Sequence, residues 1–189
     1  MQRANYSDKA IVIDILSCAF AENQSVNYIV KQDHKRLRRI RNLMSYSFDT
    51  CFRFGEIWLS DDKTGCALVV LPDRKRFTLR SILWDIKLMY SCMGISNTGK
   101  AMLRESKIKK LQPDTPLYYL WFIGVQPQAQ HRGTGTALMI GIIAEAKRLE
   151  RIICLETSTV TNLPWYQRFG FNVYTELNLG YQLYFLKRG

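Results

Sequence analysis

Apolar residues along this chain recur at two spacings, and the switches between them lay out its elements. Ile11, Ile15, Leu16 and Ala19 recur at helical spacing after Ser7 and Asp8, either of which suits a cap, so a helix is predicted to about residue 20. Residues 22–25 are polar and read as a loop. Leu37, Ile40, Met44, Phe48 and Cys51 again fall three to four apart, predicting a second helix that is capped at Asp33 and stops before Gly55. The period then shortens. Residues 56–60 and 66–71 read as a hairpin around a polar turn at 61–65. Leu79, Ile82, Leu83, Ile86, Met89, Tyr90 and Met93 predict a helix with a wide apolar side, and a more basic helix follows over about 100–111. Residues 117–125 form a β-branched and aromatic strand closed by Pro127, and the apolar positions of 137–146 predict a helix ending near Leu149. A strand over 151–157 and a closing strand pair, 171–178 and 181–187 about Gly180, complete the pattern. For a first strand, residues 1–6 are the only candidate.

Length and composition narrow the class. At 189 residues and 47% apolar content the chain suits one α/β domain, with residues 72–116 as a helical insertion, and broad disorder is excluded. No apolar run approaches the ~20 residues of a membrane span, and the N-terminus lacks the apolar core of a secretory signal. Five cysteines, odd in number and without a Cys-x-x-Cys pair, fit reduced core thiols in a cytoplasmic protein. Two histidines without metal spacing give no metal site. The net charge of +11 is concentrated in Lys31, Lys35, Arg36, Arg38, Arg39 and Arg41 and again in Arg74, Lys75, Arg76 and Arg80. Such charge attracts nucleic acid, an anionic membrane or the phosphates of a nucleotide cofactor. The apolar stripe through the first cluster favours a solvated helix face there over a nucleic-acid surface. The insertion packs as core, forms a wall or lid over a binding site, or lies on a membrane, in that order of preference.

The chemistry starts at Gln130, His131, Arg132, Gly133, Thr134 and Gly135, which lie between the strand at 117–125 and the following helix. A two-glycine loop opening a helix leaves backbone N–H groups unpaired and admits a ligand close to the main chain, which suits a pyrophosphate. The chain contains no Gly-x-x-x-x-Gly-Lys-Ser/Thr, so a P-loop is unsupported. A dinucleotide fingerprint needs a third glycine where Leu138 stands. What remains is Gln-x-x-Gly-x-Gly. Further on, Leu155, Glu156, Thr157 and Ser158 are followed by Asn162, Leu163, Pro164, Tyr166, Gly170 and Phe171.

These two ordered motifs resemble the GNAT N-acetyltransferase superfamily over roughly residues 117–187, and the wording of the second resembles its puromycin N-acetyltransferase branch. The resemblance implies an α/β (α+β) fold, a mixed and mostly antiparallel twisted sheet flanked by helices, with the insertion preceding the central cofactor strand. It implies acetyl-CoA as co-substrate. Gln130, His131, Arg132, Gly133, Thr134, Gly135 and Thr136 would wrap the pyrophosphate, with His131 and Arg132 either adding charge or simply facing solvent. Main-chain groups of the Ile123, Gly124 and Val125 stretch would pair with the pantetheine arm like an added strand, one N–H polarising the thioester carbonyl. Asn162 would bond the pantetheine region, although Asn before Leu-Pro is also an ordinary helix cap. Tyr166 would bind the thioester end and protonate the departing thiolate. Free pKa values of about 10 and 8.5 make that transfer uphill by roughly 2 kcal/mol.

The strand at 117–125 holds no Asp or Glu, so Glu156, on the adjoining strand, is the nearest candidate base. Tyr118, Tyr119 and Glu22 stand behind it, and deprotonation through ordered water is the other option. The expected partner is a small molecule with a primary amine, and Trp121, Phe122 and Trp165 would suit a flat or apolar one. The alternatives are an N-acetyltransferase of proteins or peptides, and a CoA-binding or nucleic-acid-binding regulator without turnover. A homodimer is compatible with the sequence.

Overall fold

The computed structural model describes residues 1–74 and 95–189. The helix expected over 79–93, Cys92 and most of the second basic cluster lie outside the described residues. Seven strands form one sheet in the order β1-β2-β3-β4-β5-β7-β6. They are β1 (Gln2–Arg3), β2 (Gly55–Leu59), β3 (Gly65–Val70), β4 (Leu117–Val125), β5 (Ile152–Thr157), β6 (Asn172–Asn178) and β7 (Gln182–Arg188). Every pairing is antiparallel except β4 with β5, which is parallel. Among the described residues six α-helices flank the sheet: α1 (Lys9–Ala19), α2 (Gln24–Ile29), α3 (Arg36–Phe54), α4 (Ile95–Leu111), α5 (Thr134–Arg148) and α6 (Leu163–Arg168).

Alternation along the strands divides the core in two. On one face Leu68 and Phe122 pack with Val12, Ile15 and Leu16 of α1 and Ile40, Met44 and Phe48 of α3. On the other, Tyr118, Leu120, Ile153 and Leu155 pack with Met139 and Ile142 of α5 and with Tyr166 and Phe171. Ile108 of α4 sits with Leu183 and Phe185 beyond β5. A buried carboxylate on the α5 face is fully engaged: Glu56 accepts from the Tyr118 hydroxyl at 2.6 Å and pairs with Arg3.

Several local expectations change. The first helix is capped neither by Ser7 nor by Asp8 alone. Asn5 accepts from the Ser7 N–H while Asp8 accepts from the Asn5 N–H, a reciprocal box that opens a 3₁₀ turn ahead of α1. Residues 22–25 are more than a loop, because the Asn23 side chain accepts from the Val26 N–H and starts α2. Asp33 accepts from the Lys35 N–H and binds Arg39, so it precedes α3 rather than capping it. Ile40, Met44, Phe48 and Cys51 are buried as expected and Leu43 joins them, whereas Leu37, in the first turn of α3, is 61% exposed. The basic face of α3 is laced with acids, Arg36 with Glu22 and Arg41 with Asp14. No helix among the described residues is long and apolar enough to cross a membrane.

Candidate active site

Two features of β4 make the site. The first is a bulge. Leu68 pairs with Phe122 and Val69 with Leu120, so Trp121 is the extra residue. An inserted residue bends and twists a strand and resets its alternation. That is why Trp121 and Phe122 both turn to the α1 face, while Leu120 and Ile123 turn to the other. The second is a parting of strands. β4 pairs with β5 at Leu117, Tyr118 and Tyr119 and no further, although both strands continue.

Beyond that point the edge of β4 facing β5 is open, and alternation fixes which groups line it. The Gln126 N–H donates to the Thr64 carbonyl, so Gly124 and Phe122, two and four residues back, also aim their main-chain groups at β3. Ile123 and Val125 aim theirs at the gap, and the Val125 carbonyl meets the Gln130 side chain at 3.5 Å. Gly124 has a separate task. A Cβ there would stand 3.0 Å from the Ala19 side chain and 3.1 Å from that of Leu16, so its hydrogen lets α1 lie close on β4.

The loop after β4 delivers the start of α5 to the same opening. His131 and Gly133 have φ of 63° and 87°, and Gly133 occupies the N-cap position without a side-chain cap. Ala137 makes the first helical bond, to Gly133. Thr134, Gly135 and Thr136 therefore lack carbonyls one turn back within the helix. Positive φ accounts for glycine at Gly133. At Gly135 nothing internal demands it, because an added Cβ would be 3.7 Å from Trp165 and from Val125, ordinary contact distances. At Gly133, by contrast, an added Cβ would meet nothing within 4 Å, so the loop is open there. Gln130, His131, Arg132 and Thr136 are exposed around it.

At the inner end of the gap is a cleft of about 860 Å³, counting its open mouth. Phe20, Ile29, Trp121 and Phe122 form its apolar wall, and Arg104, Glu105, Tyr119, Glu156, Asn162 and Tyr166 also line it. Glu156 is half-buried on β5, with Tyr119 donating to one carboxylate oxygen and Gln112 Nε2 to the other at 3.4 Å. Burial pushes its carboxyl up to about 7, and burial likewise raises the Tyr119 phenol. Tyr166 is buried, and burial raises its phenol too. Its ring packs on Trp165 and Phe171. Its hydroxyl takes no hydrogen-bond partner among the described residues. Asn162 occupies the N-cap position of α6, yet its side chain makes no cap bond and is exposed to the cleft. Arg104 is held by three groups: the Tyr181 hydroxyl at 3.0 Å, the Ser25 hydroxyl at 2.6 Å and Glu105 at 2.9 Å.

The fold thus brings Glu156, Asn162 and Tyr166 to one cleft and sets the glycine loop at the outer end of the same gap. The sequence did not single out Tyr119 as the partner of Glu156, nor Gln112 and Arg104 at all. They arrive from other elements, and no local pattern announces them.

Residues 96–173, from α4 through α6, match the family model described as an acetyltransferase (GNAT) domain. Over those residues the chain is similar to a GNAT acetyltransferase domain. Solved structures share the whole architecture at low identity. A histone acetyltransferase HPA2-related acetyltransferase from Corynebacterium glutamicum is 20% identical with a TM-score of 0.73, the alignment covering 98% of this chain and 93% of that one. Arylalkylamine N-acetyltransferase 2 from Aedes aegypti is 14% identical with a TM-score of 0.67, covering 99% and 96%. An N-acetyltransferase from Staphylococcus aureus Mu50 is 12% identical with a TM-score of 0.60, covering 99% and 98%. The domain match and the common GNAT fold support an acyltransferase, and the GNAT family implies acetyl-CoA as co-substrate. The residues fit that donor. The N–H groups of the first turn of α5 lie beside the open loop at Gly133, and the edge of β4 offers the Ile123 and Val125 main chain to an extended arm.

Proposed function

We propose that the protein is an acetyl-CoA-dependent N-acetyltransferase that modifies a primary amine of a small molecule. The observation that carries this reading is the convergence of Glu156, Asn162 and Tyr166 on one cleft at the inner end of the open β4 edge. Residues 130–136 hold the pyrophosphate through the N–H groups of the loop and the first turn of α5. Ile123 and Val125 pair with the pantetheine arm, and the N–H of Ile123 faces the thioester carbonyl. Asn162, freed from capping, bonds the arm from the other side.

The amine nitrogen attacks the thioester carbonyl carbon. A C–N bond forms and the C–S bond breaks. The proton lost by the ammonium goes to Glu156, whose raised pKa suits a base working near neutrality, and the thiolate leaves toward the Tyr166 hydroxyl. Burial keeps that phenol protonated, so it meets the sulfur as a donor. The motif wording shared with the puromycin-modifying branch supports a small acceptor.

Gly135→Trp tests the donor site. The indole fills the space beside Trp165 and Val125, so the variant folds with unchanged circular dichroism and binds acetyl-CoA more than about tenfold more weakly by calorimetry. Unaltered affinity in a folded variant would remove residues 130–136 from the donor site.

A further inference from the structure

The charges around the cleft do not balance, and the imbalance describes the missing partner. In a chain of net charge +11, the acidic and basic side chains that line this cleft are, among the described residues, Arg104, Glu105 and Glu156. Arg104 pairs directly with Glu105 and spends further N–H groups on Tyr181 and Ser25. Glu156 accepts from neutral donors alone, Tyr119 and Gln112, and no cation among the described residues reaches ion-pair distance of it. The charge of Arg104 acts on it only at longer range. Buried Glu56 makes the contrast, since it has Arg3. Among the described residues, the outer groove adjoining the cleft at Asn23, Ser158 and Thr159 adds no positive charge. Its one ionised lining residue is Glu22, already paired with Arg36 at 2.9 Å.

We propose that this cleft selects acceptors that carry one ammonium group, a flat apolar body and no anionic group, the ammonium completing the pairing that Glu156 lacks. This rests on the acetyl-transfer reading above and narrows its acceptor. With such an amine bound, two cationic groups face two carboxylates. An acceptor bearing a carboxylate beside its amine would place a third anion around one guanidinium that is already engaged, with little water to screen it. The body is specified by the wall: Phe20 and Phe122 meet edge to face at 5.0 Å, with Trp121 beside them. Flat rings and long apolar chains pack there, and among the described residues no lysine or second arginine lines the cleft or groove to receive a phosphate or carboxylate. Glu105 sets the exclusion, because it neutralises the cation that would otherwise greet an acid.

The test is a matched-pair assay with acetyl-CoA: tyramine against tyrosine, tryptamine against tryptophan, 2-phenylethylamine against phenylalanine. Thiol release and the N-acetyl product are both measured. The decarboxylated member of each pair is expected to exceed its amino acid by more than about tenfold in kcat/KM. Glu105→Gln, on an exposed side chain, is expected to shrink that ratio by about threefold or more by leaving Arg104 free to meet a carboxylate. Equal or inverted preference overturns the proposal, as does a ratio that Glu105→Gln leaves unmoved. Binding of acetyl-CoA without acetylation of any of the six compounds overturns it while leaving the donor site standing. Failure to bind acetyl-CoA removes both readings.

Discussion

Glu156 is a carboxylate in a strand of apolar neighbours, and its consequences can be measured one atom at a time. Its oxygens hold Tyr119 and Gln112, which come from 37 and 44 residues away in the chain. The sequence made the lone acid visible; its partners are joined only by the parallel pairing of β4 with β5 and the packing of α4. Because burial lifts its carboxyl to about 7, kcat/KM for an accepted amine should rise as pH increases toward about 7 and level above it. Glu156→Gln should abolish that limb, and a profile unchanged by the substitution would reassign the base. The stability effect has the opposite sense. A carboxyl raised above its unfolded value favours the fold fully below the unfolded pKa and loses that contribution as pH rises through about 7. Glu156→Gln should therefore raise Tm more at about pH 8 than at about pH 5. Tyr166 separates chemistry from stability more sharply. Its hydroxyl bonds nothing among the described residues, so Tyr166→Phe should cost less than about 1 kcal/mol of stability. It should lower kcat by about tenfold or more while acetyl-CoA affinity holds. An intact kcat would take Tyr166 out of the reaction.

At the scale of elements, β4 and α5 carry the proposed donor side, and both elements were legible. The apolar run at 117–125 matches β4 at both ends, and the glycine loop opens a helix where the spacing placed it. The bulge was not legible, since an extra residue among nine apolar ones leaves no mark until the partner strand is known. Nor was α2, whose six residues start from an Asn23 cap inside a polar stretch that composition reads as loop. The bulge and the parting together predict an alternating amide-exchange pattern. Ile123 and Val125 point their N–H groups into the gap and should exchange quickly, whereas Phe122 and Gly124, bonded to β3, should be slow. Acetyl-CoA should slow the first pair specifically. Uniform protection without it would mean that the edge is already covered.

For the whole molecule, the strand order and the single parallel joint follow from where the helices fall. Short turns join β2 to β3 and β6 to β7, whereas the passage from β4 to the parallel β5 takes α5 as its crossover. Chain pattern alone supplied the elements, and the family resemblance supplied their arrangement. The insertion was read as core, a site wall or a membrane-lying segment, and α4 within it lines the cleft with Arg104 and Glu105, while Gln112, just past α4, reaches Glu156. Charge count was the least informative quantity, because +11 belongs to the chain as a whole while Arg104 is the one cation lining the cleft among the described residues. The parting of β4 from β5 has one more consequence. The sheet is two leaves, β1 to β4 and β5 to β6, fastened by three residue pairs at one end. A molecule occupying the gap touches both leaves at once and works as a rivet at the free end, so donor binding should change the mechanics of the protein as much as its chemistry.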